Sequence, residues 1–201
     1  ASIAGAASIL RRNPTDEKQT KCLDIIESEC RRLNGLLTTF LNFARPPSPN
    51  LQSVSIERVL NDVIELAQHA VGRKRTNLRK TIDNALPRVQ CDPEQLRQVV
   101  LNLLLNAIEA RKDGASVTVV AEVGDDSLVI RVVDEGSGVA PEDIEKLFDP
   151  FFTTKESGTG LGLSVAHQIV GQMAGQLSAR RNAGRGMTFS VSLRLSKGSA
   201  A

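Results

Sequence analysis

Three prolines within four residues divide the chain into two parts that no single helix or strand can join. They are Pro46, Pro47 and Pro49. Proline lacks the backbone N–H donor of a helix and restricts the residue that precedes it, so regular structure stops here. The sequence therefore predicts a helical domain over residues 1–45, a linker over residues 46–53 and a second domain over residues 54–197.

The part before the prolines follows a heptad repeat. Between residues 23 and 44 the spacing of apolar residues alternates between three and four, which is typical of a helix packed in a bundle. The positions are Leu23, Ile26, Cys30, Leu33, Leu37, Phe40 and Ala44. The segment Asn13-Pro14-Thr15-Asp16 predicts a break from a preceding helix. A hairpin of two helices buries little apolar surface, so we expect a homodimer that forms a four-helix bundle, with a monomeric hairpin packed on its own second domain as the alternative.

The part after the prolines alternates between helical and strand periods. Apolar spacing predicts helices over residues 55–71, 92–111 and 162–174 and a short helix after Pro141. Strands are predicted over residues 78–82, 88–91, 117–123, 128–133, 176–181 and 187–195. Asp92 followed by Pro93 is typical of a helix start. This mixture predicts an α+β fold in which helices and a mixed sheet form a two-layer α/β sandwich.

Composition excludes several classes of function. The 25 basic and 23 acidic side chains give a net charge of +2, so no nucleic-acid partner is expected. No run of 18 apolar residues and no signal-peptide pattern occurs, so we expect no membrane contact by these residues and a cytoplasmic location, with any membrane anchor elsewhere in the parent protein. The three cysteines, Cys22, Cys30 and Cys91, lack metal-ligand spacing and are predicted to be buried thiols.

A line of polar residues runs along the helix predicted over residues 92–111. At helical spacing, apolar residues flank it on both sides. Its members are Gln95, Gln98, Asn102, Asn106 and Glu109. Buried amides need partners, and a bound polar ligand with a hard cation would supply them, because amide oxygens suit such cations. Hydrogen bonds from these amides to neighbouring backbone are the open alternative.

Two glycine-rich segments predict a sharp turn after a strand and a phosphate-binding helix start. Asp134-Glu-Gly136-Ser-Gly138 comes directly after a predicted strand, and its glycines permit a sharp turn that leaves the Asp134 carboxylate at the strand end. Residues 158–162 open a helix, where free N–H groups and the positive end of the helix dipole favour phosphate. Between them, residues 148–155 hold three of the six phenylalanines and indicate a lid, with Lys155 placed either to meet phosphate or as a solvated surface lysine.

The order and spacing of these segments resemble bacterial sensor histidine kinases. The matching segments are Asn102-Leu-Leu-Leu-Asn106, Asp134-x-Gly136-x-Gly138, Phe148-Asp-Pro-Phe-Phe, Gly158-Thr-Gly-Leu-Gly-Leu and Gly186-Met-Thr188-Phe, which are similar to the N, G1, F, G2 and G3 boxes of that family. Residues 17–47, ending Phe-Leu-Asn-Phe-Ala-Arg-Pro-Pro, resemble the second helix of the dimerisation and phosphotransfer domain, in the form of nitrogen-regulation-type kinases. The resemblance covers nearly the whole chain.

The resemblance implies an ATP-binding fold of the gyrase, chaperone and histidine-kinase type. Its implied function is the catalytic core of a histidine kinase, which transfers the γ-phosphoryl of ATP to a histidine and then to an aspartate in the receiver domain of a response regulator. The implied cofactors are ATP and Mg²⁺. Asn106 would coordinate the metal with Asn102 nearby, and Asp134 would accept a hydrogen bond from the adenine amine.

The remaining implied roles belong to glycines and to the lid. Gly136 and Gly138 would wrap the base, and Thr188 would help to hold the adenine side. The triphosphate would be covered by Lys155 together with Gly158, Thr159, Gly160, Leu161 and Gly162. Glu109 stands where relatives carry a basic residue, so direct contact between Glu109 and phosphate is not expected.

The family's phosphoacceptor motif, His-Glu-x-x-Asn-Pro-Leu, is absent from the sequence. Ala1-Ser-Ile-Ala resembles the residues immediately after that motif, and the histidines, His69 and His167, lie in other surroundings. We therefore expect a fragment that binds nucleotide and is not competent for autophosphorylation. Two alternatives remain, a nucleotide-binding partner-switch module without phosphotransfer and a hydrolytic ATPase of the same fold. The second is disfavoured because Asn102 stands where hydrolytic relatives place a glutamate to activate water.

Overall fold

The computed structural model describes residues 3, 6, 9, 10, 16–44, 47–71, 77–83, 86–110, 116–155 and 158–195. They belong to two compact units, Ala1–Arg45 and Pro46–Ala201, which are described separately. The predicted helix break at residues 13–15, the first residue of the linker and the end of the second domain at residues 196–197 lie outside the described residues.

The first unit contains helix α1, Asp16–Ala44. Residues 3, 6, 9 and 10 also have helical backbone, and Cys22 is buried. Ile26 is half-buried, and the exposed members of the heptad repeat are Leu23, Cys30, Leu33, Leu37 and Phe40. Apolar residues at heptad spacing normally pack against another helix. The single chain therefore leaves most of the described heptad stripe uncovered.

The second unit contains three helices and seven strands in its described part. In chain order they are β1 (Gln52–Val54), α2 (Ile56–Val71), β2 (Asn77–Ile82), β3 (Val89–Cys91), α3 (Pro93–Ala110), β4 (Ser116–Val123), β5 (Ser127–Asp134), α4 (Gly162–Gln172), β6 (Gln176–Arg181) and β7 (Met187–Arg194). Two 3₁₀ turns, Pro141–Asp143 and Glu145–Phe148, stand where a short helix was predicted. Each longer helix and strand predicted from the sequence is present, within a residue or two at its ends.

Five strands form a mixed sheet in the order β2-β4-β5-β7-β6. β2 and β4 are parallel and the other pairs are antiparallel. β1 and β3 form a separate antiparallel pair. Along β4 and β5 every second side chain is buried, and α3 packs on β5 while contacting α2 and α4 on either side. The core therefore lies between the sheet and a layer of three helices, which confirms the predicted two-layer sandwich.

Asp92 fixes the start of α3, the helix that carries the line of amides. Its Oδ1 accepts hydrogen bonds from the backbone N–H groups of Glu94 (2.9 Å) and Gln95 (3.1 Å), which a helix start otherwise leaves unpaired. Its Oδ2 accepts from the backbone N–H of Asn50 at 2.8 Å. Gln95 Nε2 donates to the backbone oxygen of Pro47 at 2.9 Å. The linker is therefore tied, at Pro47 and Asn50, to the first turn of α3.

Two features differ from the sequence-based expectations. Strand β1 lies at the end of the predicted linker and was not predicted from the sequence. Three residues are too few to show an alternation of apolar and polar side chains, and the partner strand β3 lies far along the chain. The prediction of three buried thiols is wrong for Cys30, which is exposed on α1. Cys22 and Cys91 are buried, and burial, together with the nearby Asp92 charge, raises the pKa of the Cys91 thiol to about 11. Within the described ranges, no helix combines the length and apolar content needed to cross a membrane.

Candidate functional site

A cavity of about 590 Å³ opens between α3, the end of β5 and the start of α4. Its floor includes side chains of β7, Met187 and Phe189, and its outer wall is formed by residues 152–155 and 158–160. The residues predicted from the sequence that line this cavity are Asn106, Asp134, Gly138, Lys155, Gly158, Thr159, Gly160 and Gly162. The fold therefore brings together predicted residues that are up to 56 positions apart in the sequence, from Asn106 to Gly162.

Four members of the line of polar residues on α3 separate into two groups. Gln95 Nε2, at the start of the helix, donates to the backbone oxygen of Pro47, and Asn102 Nδ2 donates to the backbone oxygen of Gly162 at 3.3 Å. These two side chains therefore bond to backbone, as in the alternative to ligand binding given above. Asn106 and Glu109, one turn further along, line the cavity. The polar groups that α3 presents to the cavity are therefore an amide and a carboxylate.

Lys155 reaches both of these groups from the cavity wall. Its Nζ donates to Asn106 Oδ1 at 3.0 Å and forms an ion pair with Glu109 Oε2 at 2.6 Å. Asn106 and Glu109 are three residues apart on one helix, so their side chains share a face. Two oxygen atoms of α3 thus converge on one positive charge.

Asp134 ends β5 and is only 2% exposed. Its Oδ1 accepts the backbone N–H of Gly136 at 2.8 Å. Burial raises the pKa of the Asp134 carboxyl above its ordinary value, and hydrogen bonds from the backbone of Gly136 and Met187 offset only part of that shift. The cavity therefore contains a buried acidic side chain whose hydrogen-bond acceptors are only partly used.

Glycines allow the backbone to pass close to this carboxylate and to the lid. Gly186 has a φ of +83°, and a Cβ there would collide with the backbone oxygen of Asp134. A Cβ at Gly136 would lie 2.6 Å from the backbone oxygen of Ala110. Gly160 has a φ of +67° and abuts the backbone of Phe151, whose N–H donates to the Gly160 oxygen at 3.0 Å. These close approaches exclude side chains at positions that shape the cavity.

The three phenylalanines of the predicted lid have different surroundings. Phe148 stacks on the ring of His167 with centroids 5.1 Å apart, which joins the start of the segment to α4. Phe152 lines the cavity, whereas Phe151 is 60% exposed and its φ is +66°. Among the described contacts of these three rings, the stack of Phe148 on His167 is the one that joins the predicted lid to a helix.

Four predicted site residues do not line the cavity in the described structure, namely Asn102, Gly136, Leu161 and Thr188. Leu161 is buried, and its N–H donates to Thr159 Oγ1 at 3.3 Å. Thr188 is buried, and its hydroxyl donates to Asn182 Oδ1 at 2.6 Å. These residues support the cavity from behind rather than facing it.

Asn182 was not identified from the sequence. Its Nδ2 donates to the backbone oxygen of Asp134 at 3.0 Å and to that of Arg185 at 3.1 Å, while its Oδ1 accepts from Thr188. One side chain therefore joins the Asp134 turn to the β6–β7 turn. Its place at the start of a glycine-containing segment predicts a turn at Asn182. It does not predict the hydrogen bond to a residue on β5.

Two family models match the chain. Residues 91–197 match the model described as histidine kinase-, DNA gyrase B-, and HSP90-like ATPase, and residues 1–49 match the His Kinase A (phospho-acceptor) domain. The first match contains every residue that lines the cavity.

Curated proteins and solved structures agree with these matches. Sensor histidine kinase ZraS of Salmonella typhi is 35% identical over 192 residues, which are 94% of this chain and 41% of ZraS. Sporulation kinase E of Bacillus subtilis (strain 168) is 32% identical over 171 residues, which are 85% of this chain and 23% of that kinase. A crystal structure of full-length ShkA in complex with AMPPNP is 27% identical and superposes with a TM-score of 0.82, covering 98% of this chain and 43% of ShkA. The chain thus spans less than half the length of each of these three proteins.

Proposed function

Since the chain belongs to the family of histidine kinase-, DNA gyrase B- and HSP90-like ATPases, we propose that it is the ATP-binding catalytic core of a sensor histidine kinase. In this proposal it transfers the γ-phosphoryl of ATP to a histidine, from which the phosphoryl passes to an aspartate of a response regulator. The observation that carries the proposal is one cavity that contains a buried carboxylate, an amide oxygen and an ammonium.

The residues of the cavity fit a nucleotide with its metal. A volume of about 590 Å³ lies within the range of pockets that enclose small organic ligands. Asn106 Oδ1 already accepts a hydrogen bond from the positively charged Lys155, so it presents an oxygen to a cation. Mg²⁺ takes oxygen ligands, needs few of them from the protein, and completes its shell with phosphates and water. ShkA, with the same fold and 27% identity, was crystallised with AMPPNP.

The base would be bound at the end of β5. Asp134 would accept the hydrogen bond of the adenine amine, and the backbone of Gly136 and Gly138 would pass along the ring. Thr188 would act on the adenine side through Asn182, whose amide holds the Asp134 backbone. Such a site selects adenine because the buried carboxylate accepts hydrogen bonds and, when ionised, donates none.

The phosphates would be bound at the start of α4. N–H groups between Gly158 and Gly162 and the positive end of the α4 dipole favour negative charge there. Lys155 would turn from α3 toward the phosphates, and Asn106 would hold Mg²⁺. Bound Mg²⁺ neutralises phosphate charge. Asn102 keeps Gly162, the first residue of α4, against α3 through its 3.3 Å hydrogen bond. This arrangement positions the nucleotide and stabilises charge, which is most of what phosphoryl transfer requires of a protein.

We further propose that α1 dimerises the chain. The match to the phospho-acceptor domain model and the exposed stripe that contains Leu23, Leu33, Leu37 and Phe40 support this proposal. A second copy of the same stripe would bury these residues by an isologous contact. Multi-angle light scattering is expected to give twice the mass of the chain at high concentration, and a monomeric mass across the concentration series would contradict the dimer.

Phosphotransfer to a histidine supplied in trans tests the catalytic role. The chain is mixed with ATP, Mg²⁺ and a separate helical hairpin that carries the motif His-Glu-x-x-Asn-Pro-Leu. We expect acid-labile phosphate on the hairpin, no label on the chain alone, and no label when the hairpin histidine is replaced. Asn106→Ala is expected to abolish the label, whereas His69→Gln, an exposed change at the end of α2, leaves it unchanged. Nucleotide binding without any label would favour the alternative of a partner-switch module.

A further inference from the structure

Among the charged side chains that the structure describes at the cavity, Glu109 has no role in the family resemblance or in the proposed function. It lies on α3, three residues after Asn106, and its carboxylate lines the same cavity as Asn106. A carboxylate that faces bound polyphosphate repels it, unless a cation lies between the two negative groups. The bound state that we propose therefore requires a cation at Glu109.

The structure shows where such a cation is held. Lys155 Nζ lies 2.6 Å from Glu109 Oε2 and 3.0 Å from Asn106 Oδ1, so one positive charge contacts both oxygens at once. If Lys155 turns to the phosphates, it leaves a carboxylate oxygen and an amide oxygen that face a common point. This pair of donors is chemically suited to Mg²⁺, which binds oxygen at about 2.0–2.1 Å.

The side chains have enough freedom for a divalent cation to replace the Lys155 ammonium between Glu109 and Asn106. The Glu109 side chain is 61% exposed and that of Lys155 is 37% exposed, so neither is enclosed by surrounding atoms. Moving the two oxygens from ammonium distance to metal distance requires a displacement of about 1 Å or less for each. Asn106, which is half-buried on α3, provides the fixed side of the site.

We propose that Glu109 is a second protein ligand of the divalent cation held by Asn106, and that in the absence of nucleotide Lys155 occupies the position of that cation. This inference rests on the proposed function, because the nucleotide supplies the remaining ligands. It assigns Lys155 two positions, on Glu109 and Asn106 in the free chain and on phosphate in the complex. It also makes the acidic residue a requirement of metal binding.

The alternative is that Glu109 serves only to hold Lys155. The two roles differ in the factor by which Mg²⁺ strengthens nucleotide binding. If Glu109 only holds Lys155, Glu109→Gln strengthens AMPPNP binding equally with Mg²⁺ and with EDTA, and the factor is unchanged. If Glu109 binds the metal, Glu109→Gln reduces the factor, because a charged ligand is lost only in the metal complex.

Calorimetric titration with AMPPNP, in Mg²⁺ and in EDTA, measures this factor. We expect it to fall about tenfold in Glu109→Gln, a loss of the size typical for a perturbed metal site. The matched control Glu57→Gln changes an exposed side chain on α2, outside the cavity, and is expected to leave the factor unchanged. The same tenfold loss is expected when Glu109→Gln is added to Lys155→Met, because ligation does not act through the lysine.

A direct measurement separates ligation from charge acting at a distance. With Mn²⁺ in place of Mg²⁺ and protein labelled with ¹³C at its side-chain carboxylates, electron–nuclear double resonance is expected to show a carbon coupled to the metal in the wild type and none in Glu109→Gln. An unchanged factor, a loss that disappears in the Lys155→Met background, or a wild-type spectrum without the coupling would each overturn the inference while leaving nucleotide binding in place. If the wild type bound no AMPPNP under either condition, the proposed function would fail with it.

Discussion

Gly186→Ala is expected to abolish nucleotide binding and to lower the free energy of unfolding of the second unit by about 3 kcal/mol. Gly186 has a φ of +83°, and an added Cβ would collide with the backbone oxygen of Asp134. Relief of that collision requires β7 and the end of β5 to separate, which displaces the carboxylate proposed to bind adenine. Calorimetry with ADP measures the loss of binding, and urea denaturation measures the loss of stability.

Gly184→Ala is the matched control for this prediction. Gly184 lies in the same turn, two residues away, and nothing described lies within 4 Å of the position that its Cβ would occupy. We expect this variant to bind ADP as the wild type does and to unfold at nearly the same urea concentration. Equal behaviour of the two variants would show that the contact between Gly186 and Asp134 does not shape the site.

Asp134→Asn is expected to weaken ADP binding by about 100-fold while leaving the fold intact, because a charged hydrogen bond is lost and two donors are opposed. The amide oxygen can still accept the Gly136 N–H that Asp134 Oδ1 accepts at 2.8 Å. In that orientation the amide NH₂ faces the adenine amine, and neither group can accept. Calorimetry with ADP measures the loss, and circular dichroism with urea denaturation verifies the fold. Wild-type affinity in this variant would contradict the proposed role of Asp134.

The same residue predicts a pH dependence of binding and of stability. Burial raises the pKa of Asp134, and the base requires the ionised form, so ADP affinity should fall as the pH is lowered through that raised pKa. The folded chain holds this proton more tightly than the unfolded chain. The Asp134 contribution therefore lowers stability as the pH rises from the ordinary carboxyl pKa through the raised value. The Asp134 contribution to both dependences should be absent from Asp134→Asn, and a wild-type affinity that stays constant over this range would contradict the first.

The sequence predicted the elements better than it predicted the contacts between them. The start of α3 could be predicted because Asp92 and Pro93 act locally. The Asp92 side chain accepts from N–H groups two and three residues after it in the chain. The paired strands around β5 were readable because alternation reports which face is buried. β1 was not, since a strand of three residues is defined by its partner and has no period of its own.

The candidate site shows the same limit. Helical spacing placed the amides of α3 on one line, but their partners lie 48, 60 and 49 residues away for Gln95, Asn102 and Asn106, respectively. Which of them faces the cavity depends on the packing of distant segments, and periodicity does not contain that information. The pairing of Lys155 with Glu109 and the bond from Asn182 to Asp134 were missed for the same reason.

Binding of the nucleotide in the cavity between α3, β5 and α4 can be tested by an NMR titration of ¹⁵N-labelled chain with ADP. The glycines serve as internal reporters, because Gly138, Gly158, Gly160 and Gly162 line the cavity, whereas Gly35, Gly124 and Gly171 lie on other parts of the described structure. We expect large, saturable shifts of the amide resonances of the first group and little change in the second. Shifts confined to the second group, or none at all at millimolar ADP, would contradict binding in this cavity.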